Sequence, residues 1–337
     1  MDVISEVLGA VKLKGAFYFN GEFSAPWGVR TPPSSVLAPY LGSTEGHVII
    51  FHQLTEGQGV AGLVNNQMMP LAAGDIVVFP HGDAHILASA AAANAIDYEG
   101  ELHRIMEQGL RVSRTGGGGE MTKFVCGYLS CDRELSRILL AGLPGVFKVN
   151  VREEGTGLWL ENAIRFSVAD AGALPSGGEA VLARLAEALF IETLRRYIAG
   201  LPAGQTGWLA GARDPEIGKA LALLHRDPAR PWTIANLAHE VGLSRSVLAG
   251  RFRHFLNEPP MTYLLRWRLQ LGARLLQTSN RSVADIAAEV GYESEPAFNR
   301  AFRREYGAPP ARFRTGLRKP GESLTNSPKA AHGSSGT

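Results

Sequence analysis

Four side chains in the first half of the chain have the chemistry to hold a metal ion. His81 and His85 are spaced H-x3-H, and Cys126 and Cys131 are spaced C-x4-C. Two imidazole nitrogens and two sulfurs suit tetrahedral zinc, with His52 as a substitute ligand. Both spacings are loose, and the ligands must converge from separate segments. An inert reading of the same residues is a satisfied turn histidine at His81, a core-facing His85 and two buried thiols. A redox reading pairs Cys126 with Cys131 in a regulatory disulfide, which requires Cα atoms within about 7 Å. Nucleophilic catalysis finds no constellation: no serine sits in a G-x-S-x-G elbow, and the run Gly116–Gly119 lacks the Lys-Ser/Thr ending of a phosphate loop.

The last third of the chain offers a different chemistry, the neutralisation of phosphate. Residues 1–212 carry 15 Lys/Arg and 21 Asp/Glu, a balance of −6, whereas residues 213–319 carry 18 and 10, a balance of +8. The remaining tail adds one of each, so the net +2 is a sum of two unlike parts. Such asymmetry points to a nucleic-acid-facing C-terminal region.

Within that region the sequence repeats. WTIANLAHEVGLSRSVLAGRFRHFLNEPPMTYL (232–264) matches RSVADIAAEVGYESEPAFNRAFRREYGAPPARF (281–313), offset by 49 residues at Gly242/Gly291 and by 50 at Phe252/Phe302. Thr233 and Ser282 are placed to cap a first helix, and Ser282-x-x-Asp285 has the form of a capping box. Ile234, Leu237, Ala238 and Val241, like Val283, Ile286, Ala287 and Val290, fall at i, i+3, i+4, i+7. Gly242 and Gly291 end these helices and supply the turn of a helix-turn-helix. Second helices start near Ser244 and Ser294. With Leu248, Phe252 and Phe255 grouped inward, Ser246, Ala249, Gly250 and Arg253 lie opposite; with Phe298, Ala301 and Phe302 inward, Asn299, Arg300 and Arg303 lie opposite. Those faces are small and partly basic, as a major groove requires, and Arg245 at the helix start is placed to reach a base edge or a phosphate.

The elements around these residues divide the 337-residue chain into parts. That length suggests about two domains, each able to bury a core. A 45% hydrophobic, 20% charged composition is that of a soluble globular protein. No apolar stretch reaches the roughly 20 residues of a membrane span. MDVISEVLGAVKLKG lacks the basic segment and apolar core of a signal peptide, so a cytoplasmic location is expected. Two cysteines exclude a disulfide scaffold. Runs such as 15–23, 46–54, 74–80, 123–129 and 158–168 read as strands, and 88–95 and Gly116–Gly119 as loops. Residues 179–200 read as an amphipathic helix, with Leu182, Leu185, Leu189 and Thr193 on one face. From 214 to 314 the pattern is helical, and Trp27 and Trp159 are expected in the core of the strand-rich part.

The stretch VGLSRSVLAGRFRHFLNEPPMTYLLRWRLQLGARLL, followed by SVADIAAEVGYESEPAFNRAFRREYGAPPARFR, resembles the AraC/XylS family of bacterial transcription regulators. The resemblance implies seven helices, with two helix-turn-helix units joined by a long helix at about 260–277. Gly250 departs from the pattern, standing where relatives often place a basic residue, and Pro296 falls in a first helical turn, where a missing N–H is tolerated. Further upstream, Gly74-Asp-Ile-Val-Val-Phe-Pro80-His-Gly82-Asp-Ala-His85 resembles the second signature of the cupin superfamily, whose terminal His points into a barrel that often binds metal. The first cupin signature is broken: Ile50 occupies the expected Glu position, and His52 lies two residues on, where strand alternation returns it to the same face. GAFYFNGEFSAPWGVR, FPHGDAHIL and KFVCGYLSCDRELSRILLAGLP are similar to the cupin-type sensor domain of one AraC subgroup.

The expected fold is α+β and multidomain. A cupin-like β-barrel sensor occupies 1–170, a linker with a dimerisation helix 171–212, an all-α DNA-binding domain with two helix-turn-helix units 213–319, and a disordered tail 320–337. The resemblance implies a homodimeric regulator and not an enzyme, acting on double-stranded promoter DNA and with RNA polymerase, and answering to a small-molecule effector or to a metal such as zinc. An aromatic lining would suit a small apolar effector. The alternative is a metal-dependent cupin oxygenase or isomerase fused to a DNA-binding unit, against which the broken first signature argues.

Overall fold

The computed structural model of the chain describes residues 3–11, 13–41, 47–64, 66–90, 96–97, 104, 107, 110–131, 140–153, 155–169 and 176–316. Most of the alanine-rich segment and the C-terminal tail lie outside these residues. The chain divides into two units, Met1–Trp267 and Arg268–Thr337.

The first unit begins with helix α1 (Val3–Val11), followed by β1 (Lys14–Ser24), β2 (Gly28–Thr31), the short helix α2 (Ser34–Leu37), β3 (His47–Glu56), β4 (Gln58–Leu63), β5 (Met69–Ala72) and β6 (Asp75–Phe79). Then come β7 (His85–Ala88), β8 (Ile96–Asp97), β9 (Val112–Gly116), β10 (Met121–Cys131) and β11 (Phe147–Asn150). They build a six-stranded sheet, β11-β6-β3-β10-β1-β9, and a five-stranded sheet, β5-β4-β7-β2-β8. Both sheets contribute to one core containing Phe19, Phe23, Trp27, Leu54, Phe79, Leu87 and Phe124. Each such side chain, fully buried, stabilises the fold by roughly 1.5–3 kcal/mol before entropy is subtracted. Between β6 and β7 the turn depends on Gly82, whose φ is +68°. A Cβ there would lie 2.2 Å from Ser34 Oγ, so no other residue brings His85 into place without strain.

The strand expected over 158–168 is instead helix α3 (Gly155–Ala169). Its buried residues Leu160, Glu161, Ile164 and Val168 recur every three or four positions, a helical period that the β-rich residue types of the segment obscure. Trp159, expected in the core, is 64% exposed on this helix, and Phe166 is 74% exposed. Buried Glu161 receives two hydrogen bonds from Arg152, through Nε at 2.8 Å and Nη2 at 2.5 Å, and Arg152 also donates to the Thr55 carbonyl. This bidentate pair ties α3 to β3.

Helix α4 (Gly178–Ala199) buries Leu182, Ala186, Leu189, Thr193 and Ile198 and packs on β1 and α3. Contact with β1 is close at Gly15, where a Cβ would lie 2.8 Å from the Ala186 Cβ. Helices α5 (Trp208–Arg213), α6 (Pro215–Arg226), α7 (Ile234–Val241) and α8 (Arg245–Leu256) follow, and α9 (Pro260–Thr278) crosses from the first unit into the second. α1 packs against α6, burying Val3 and Val7. The second unit continues with α10 (Val283–Glu289), α11 (Glu295–Tyr306) and α12 (Pro310–Gly316), around Leu276, Ile286, Phe298 and Phe302.

Two glycines provide opposite tests of packing. Gly15→Val should lower stability by about 1–3 kcal/mol through overpacking against α4. Gly250, where a Cβ meets nothing within 4 Å, sits inside α8, so Gly250→Ala should raise stability by about 0.5–1 kcal/mol. Urea denaturation of both variants measures the two effects.

Candidate ligand cavity and nucleic-acid interface

The register of the larger sheet builds the polar wall of the barrel. Phe19 of β1 pairs with Cys126 of β10, Cys126 with His52 of β3, and His52 with Val77 of β6, so all four share a row on the inner face. A bulge at Tyr18 adjusts β1 to this register, since Phe17 pairs with Gly127 and Phe19 with Cys126. His85 arrives from the smaller sheet, where it pairs with Thr31 and Leu63.

Three side chains then join in one hydrogen-bonded chain. His85 Nδ1 lies 2.8 Å from the Asp83 carbonyl, which only accepts, so Nδ1 carries the proton and Nε2 presents a lone pair. His52 Nε2, 2.7 Å from His85 Nε2, must therefore donate. That leaves His52 Nδ1 to accept from the Cys126 thiol at 2.6 Å. The relay runs Cys126 to His52 to His85 to the Asp83 carbonyl, with every member neutral. Burial enforces neutrality: it drives His52 well below the usual imidazole range, lowers His85 to about 4 and pushes the Cys126 thiol up.

Of the sequence-predicted ligands, His85 and Cys126 meet through His52, and the other two do not join them. His81 Nε2 donates to the Leu143 carbonyl, and Cys131 hydrogen-bonds the His47 carbonyl. Cys126 and Cys131 stand five residues apart on β10, about 16 Å at the rise of a strand, which removes both the shared zinc site and the disulfide. Because the two nitrogens of His52 point at different partners, the relay does not converge on one point either. Among the described residues no group of three or more His, Cys, Asp or Glu is arranged to hold a metal ion.

Beside the relay lies a cavity of about 50 Å³, counted as room for the centres of water-sized molecules, lined by Tyr18, Phe23, Trp27, Leu87 and Phe124 together with His52 and Cys126. Trp27 stacks on Phe23 at 4.9 Å and meets Phe124 edge-on at 5.6 Å. Trp27 is core, as expected, yet it also faces this space. The alternation in GAFYFNGEF signals aromatic residues on an inner face but not the void between them.

The two helix-turn-helix units are locally alike. Gly242 adopts φ +78° and Gly291 φ +86°, and in both turns the next residue hydrogen-bonds back to an alanine: Leu243 N–H to Ala238 O at 2.9 Å and Tyr292 N–H to Ala287 O at 2.8 Å. The full reciprocal capping box is at Thr233/Asn236, while Ser282 accepts from the Asp285 N–H and donates to its carboxylate. Ser244 and Ser294 cap α8 and α11. On those helices Leu248, Phe252, Phe298 and Phe302 are buried, whereas Arg245, Ser246, Gly250, Arg253, Arg300 and Arg303 are exposed, and Ala249 and Asn299 are half-buried. Asn299 contacts Glu295 on its own helix. Arg251 is occupied elsewhere, pairing with Asp214 and Glu216. Behind α8, His225 accepts or donates one bond with Tyr263 and stacks on Trp267, and burial lowers it to about 3.

These buried histidines make stability pH-dependent in a fixed direction. Folded His85 and His225 titrate near 4 and 3, below the unfolded value near 6.5, so their contribution is complete above pH 6.5 and is lost as pH falls. The urea midpoint should drop steadily between pH 7 and pH 5. The paired substitution His52→Leu with His85→Leu should flatten that slope, leaving the share of His225.

Comparison with known proteins supplies the family. Residues 2–199, more than half of the chain, match a cupin family, and residues 237–316 match a helix-turn-helix domain. The chain is 34% identical over 251 residues to a putative AraC-like transcription regulator of Streptomyces lividans, covering 74% of this chain and 80% of that one. It is 29% identical over 322 residues to the HTH-type transcriptional regulator AlkR of Acinetobacter baylyi, covering 93% and 99%. Among solved structures, an AraC-type DNA-binding-domain regulator from Chromobacterium violaceum is 29% identical, covering 33% of this chain and 99% of that chain, with a TM-score of 0.31. With two matching helix-turn-helix turns behind a cupin domain, the chain belongs to the AraC-type DNA-binding transcriptional regulators.

Proposed function

We propose that the protein is a cytoplasmic, homodimeric regulator whose barrel reads a small molecule and whose helices α8 and α11 read promoter DNA in the major groove. The observation that carries this reading is the pair of exposed basic faces on two locally equivalent, capped helices. Arg245, Arg253, Arg300 and Arg303 neutralise phosphates or reach base edges, Ser246 and Asn299 add polar contacts, Ala249 leaves room for close approach, and Gly250 stands where a basic side chain would meet a phosphate. Bound at a promoter, the protein acts on transcription through RNA polymerase. Residues 1–170 form the sensor, 171–212 the linker with the dimer-forming helix, and 213–319 the reader.

The barrel serves as a receptor and not as an enzyme. In support, both ring nitrogens of His52 and His85 are already hydrogen-bonded within the protein, which suits a fixed wall better than a centre exchanging protons with substrate. Among the described residues no helix is long and apolar enough to cross a membrane.

Genome-wide mapping of bound sites supplies an operator for quantitative tests. On that operator Arg303→Ala should weaken binding by about 1–3 kcal/mol if it touches a base, and should lower the salt slope by about 1 if it touches a phosphate. Unchanged affinity at both low and high salt would remove Arg303 from the interface. Gly250→Arg should act oppositely, strengthening binding most at low salt.

A further inference from the structure

The barrel cavity restricts the chemistry of its ligand. Among the described residues that line it, none is Asp, Glu, Lys or Arg. An ion entering this space would shed its water and meet no counter-charge. The polar groups present are also largely committed. The Cys126 thiol donates to His52, the His52 N–H donates to His85, and the His85 N–H donates to the Asp83 carbonyl, so the relay has no donor left for a guest.

Besides the hydroxyls of Tyr18 and Thr31, which also line the cavity, one donor in the wall is fully buried. Trp27 is 5% exposed and lines the cavity, and its Nε1–H is buried with no hydrogen-bond partner among the described residues. Buried indole N–H groups ordinarily find an acceptor. Around it, the faces and edges of Phe23 and Phe124 offer the contacts an aromatic ring prefers.

We propose that the cavity binds an uncharged aromatic small molecule carrying one hydrogen-bond acceptor, which meets Trp27 Nε1–H while the ring lies among Phe23, Phe124 and Leu87. This inference rests on the receptor reading of the barrel and adds the ligand class to it. Four probes of similar size separate the requirements: acetophenone is neutral with an acceptor, cumene is neutral without one, benzoate is an anion and benzamidine a cation.

Isothermal titration of the full-length protein should rank acetophenone first, cumene several-fold weaker, and both ions at least about tenfold weaker. Trp27→Phe keeps an aromatic ring and loses the donor, so it should bring acetophenone and cumene to equal affinity. Leu87→Trp should fill the cavity and abolish acetophenone binding. The proposal is overturned if either ion binds as tightly as the ketone, if acetophenone does not bind at all, or if its advantage over cumene survives in Trp27→Phe. Should Trp27→Phe not fold, the wild-type ranking of ketone against ions still decides. Operator binding measured on the same preparation separates the two levels. A chain that binds operator but fails the ligand ranking loses only the ligand class, whereas one that binds the ketone but no DNA loses the regulator reading.

Discussion

The pairing of β10 between β1 and β3 is the constraint on which the sensor half depends. Side chains on a strand alternate between faces, so a slip of one residue would turn Phe124 and Cys126 away from the core and bring their neighbours in. At the observed register Cys126 stands opposite both Phe19 and His52, and the thiol–imidazole contact follows from that placement. The β-bulge at Tyr18 and the left-handed turn at Gly82 serve the same arrangement, one by adjusting β1 and the other by delivering His85 from the opposite sheet.

A neutral relay has a further consequence for the interior. Each proton is fixed by its neighbour, beginning from a backbone carbonyl that has no choice of role. The barrel therefore carries three ionisable groups beside an apolar void without burying a net charge. Within the same unit, β1 lines the cavity with one face and receives α4 at Gly15, so the strand that would touch a ligand is also the one on which the helix rests.

The DNA-reading half obeys shorter-range rules. Its caps act over three residues, its helix periods over four, and its glycine turns over five, so the sequence alone places the helices and the candidate reading faces within a residue or two of where they lie. Helix α3 shows the limit of reading by residue type. Its valine, isoleucine and phenylalanine suggest a strand, while Leu160, Ile164 and Val168 keep a helical period. Trp159 is exposed on this helix because it lies off that buried stripe.

By itself the sequence determined the two helix-turn-helix units, the strand-rich sensor ahead of them, the inward-facing His52 and His85, and the division of charge between −6 and +8 regions. Each is local in the chain or is a simple sum over it. Tertiary structure decided the rest: which of His52, His81, His85, Cys126 and Cys131 meet, that the two cysteines stay apart, and that Trp27 is left with an unpaired donor beside a cavity. His52 and Cys126 are 74 residues apart and His52 and His85 are 33 apart, so no local spacing encodes their contact. It is fixed by strand register and by two sheets closing on one core, and those depend on packing summed over the whole barrel.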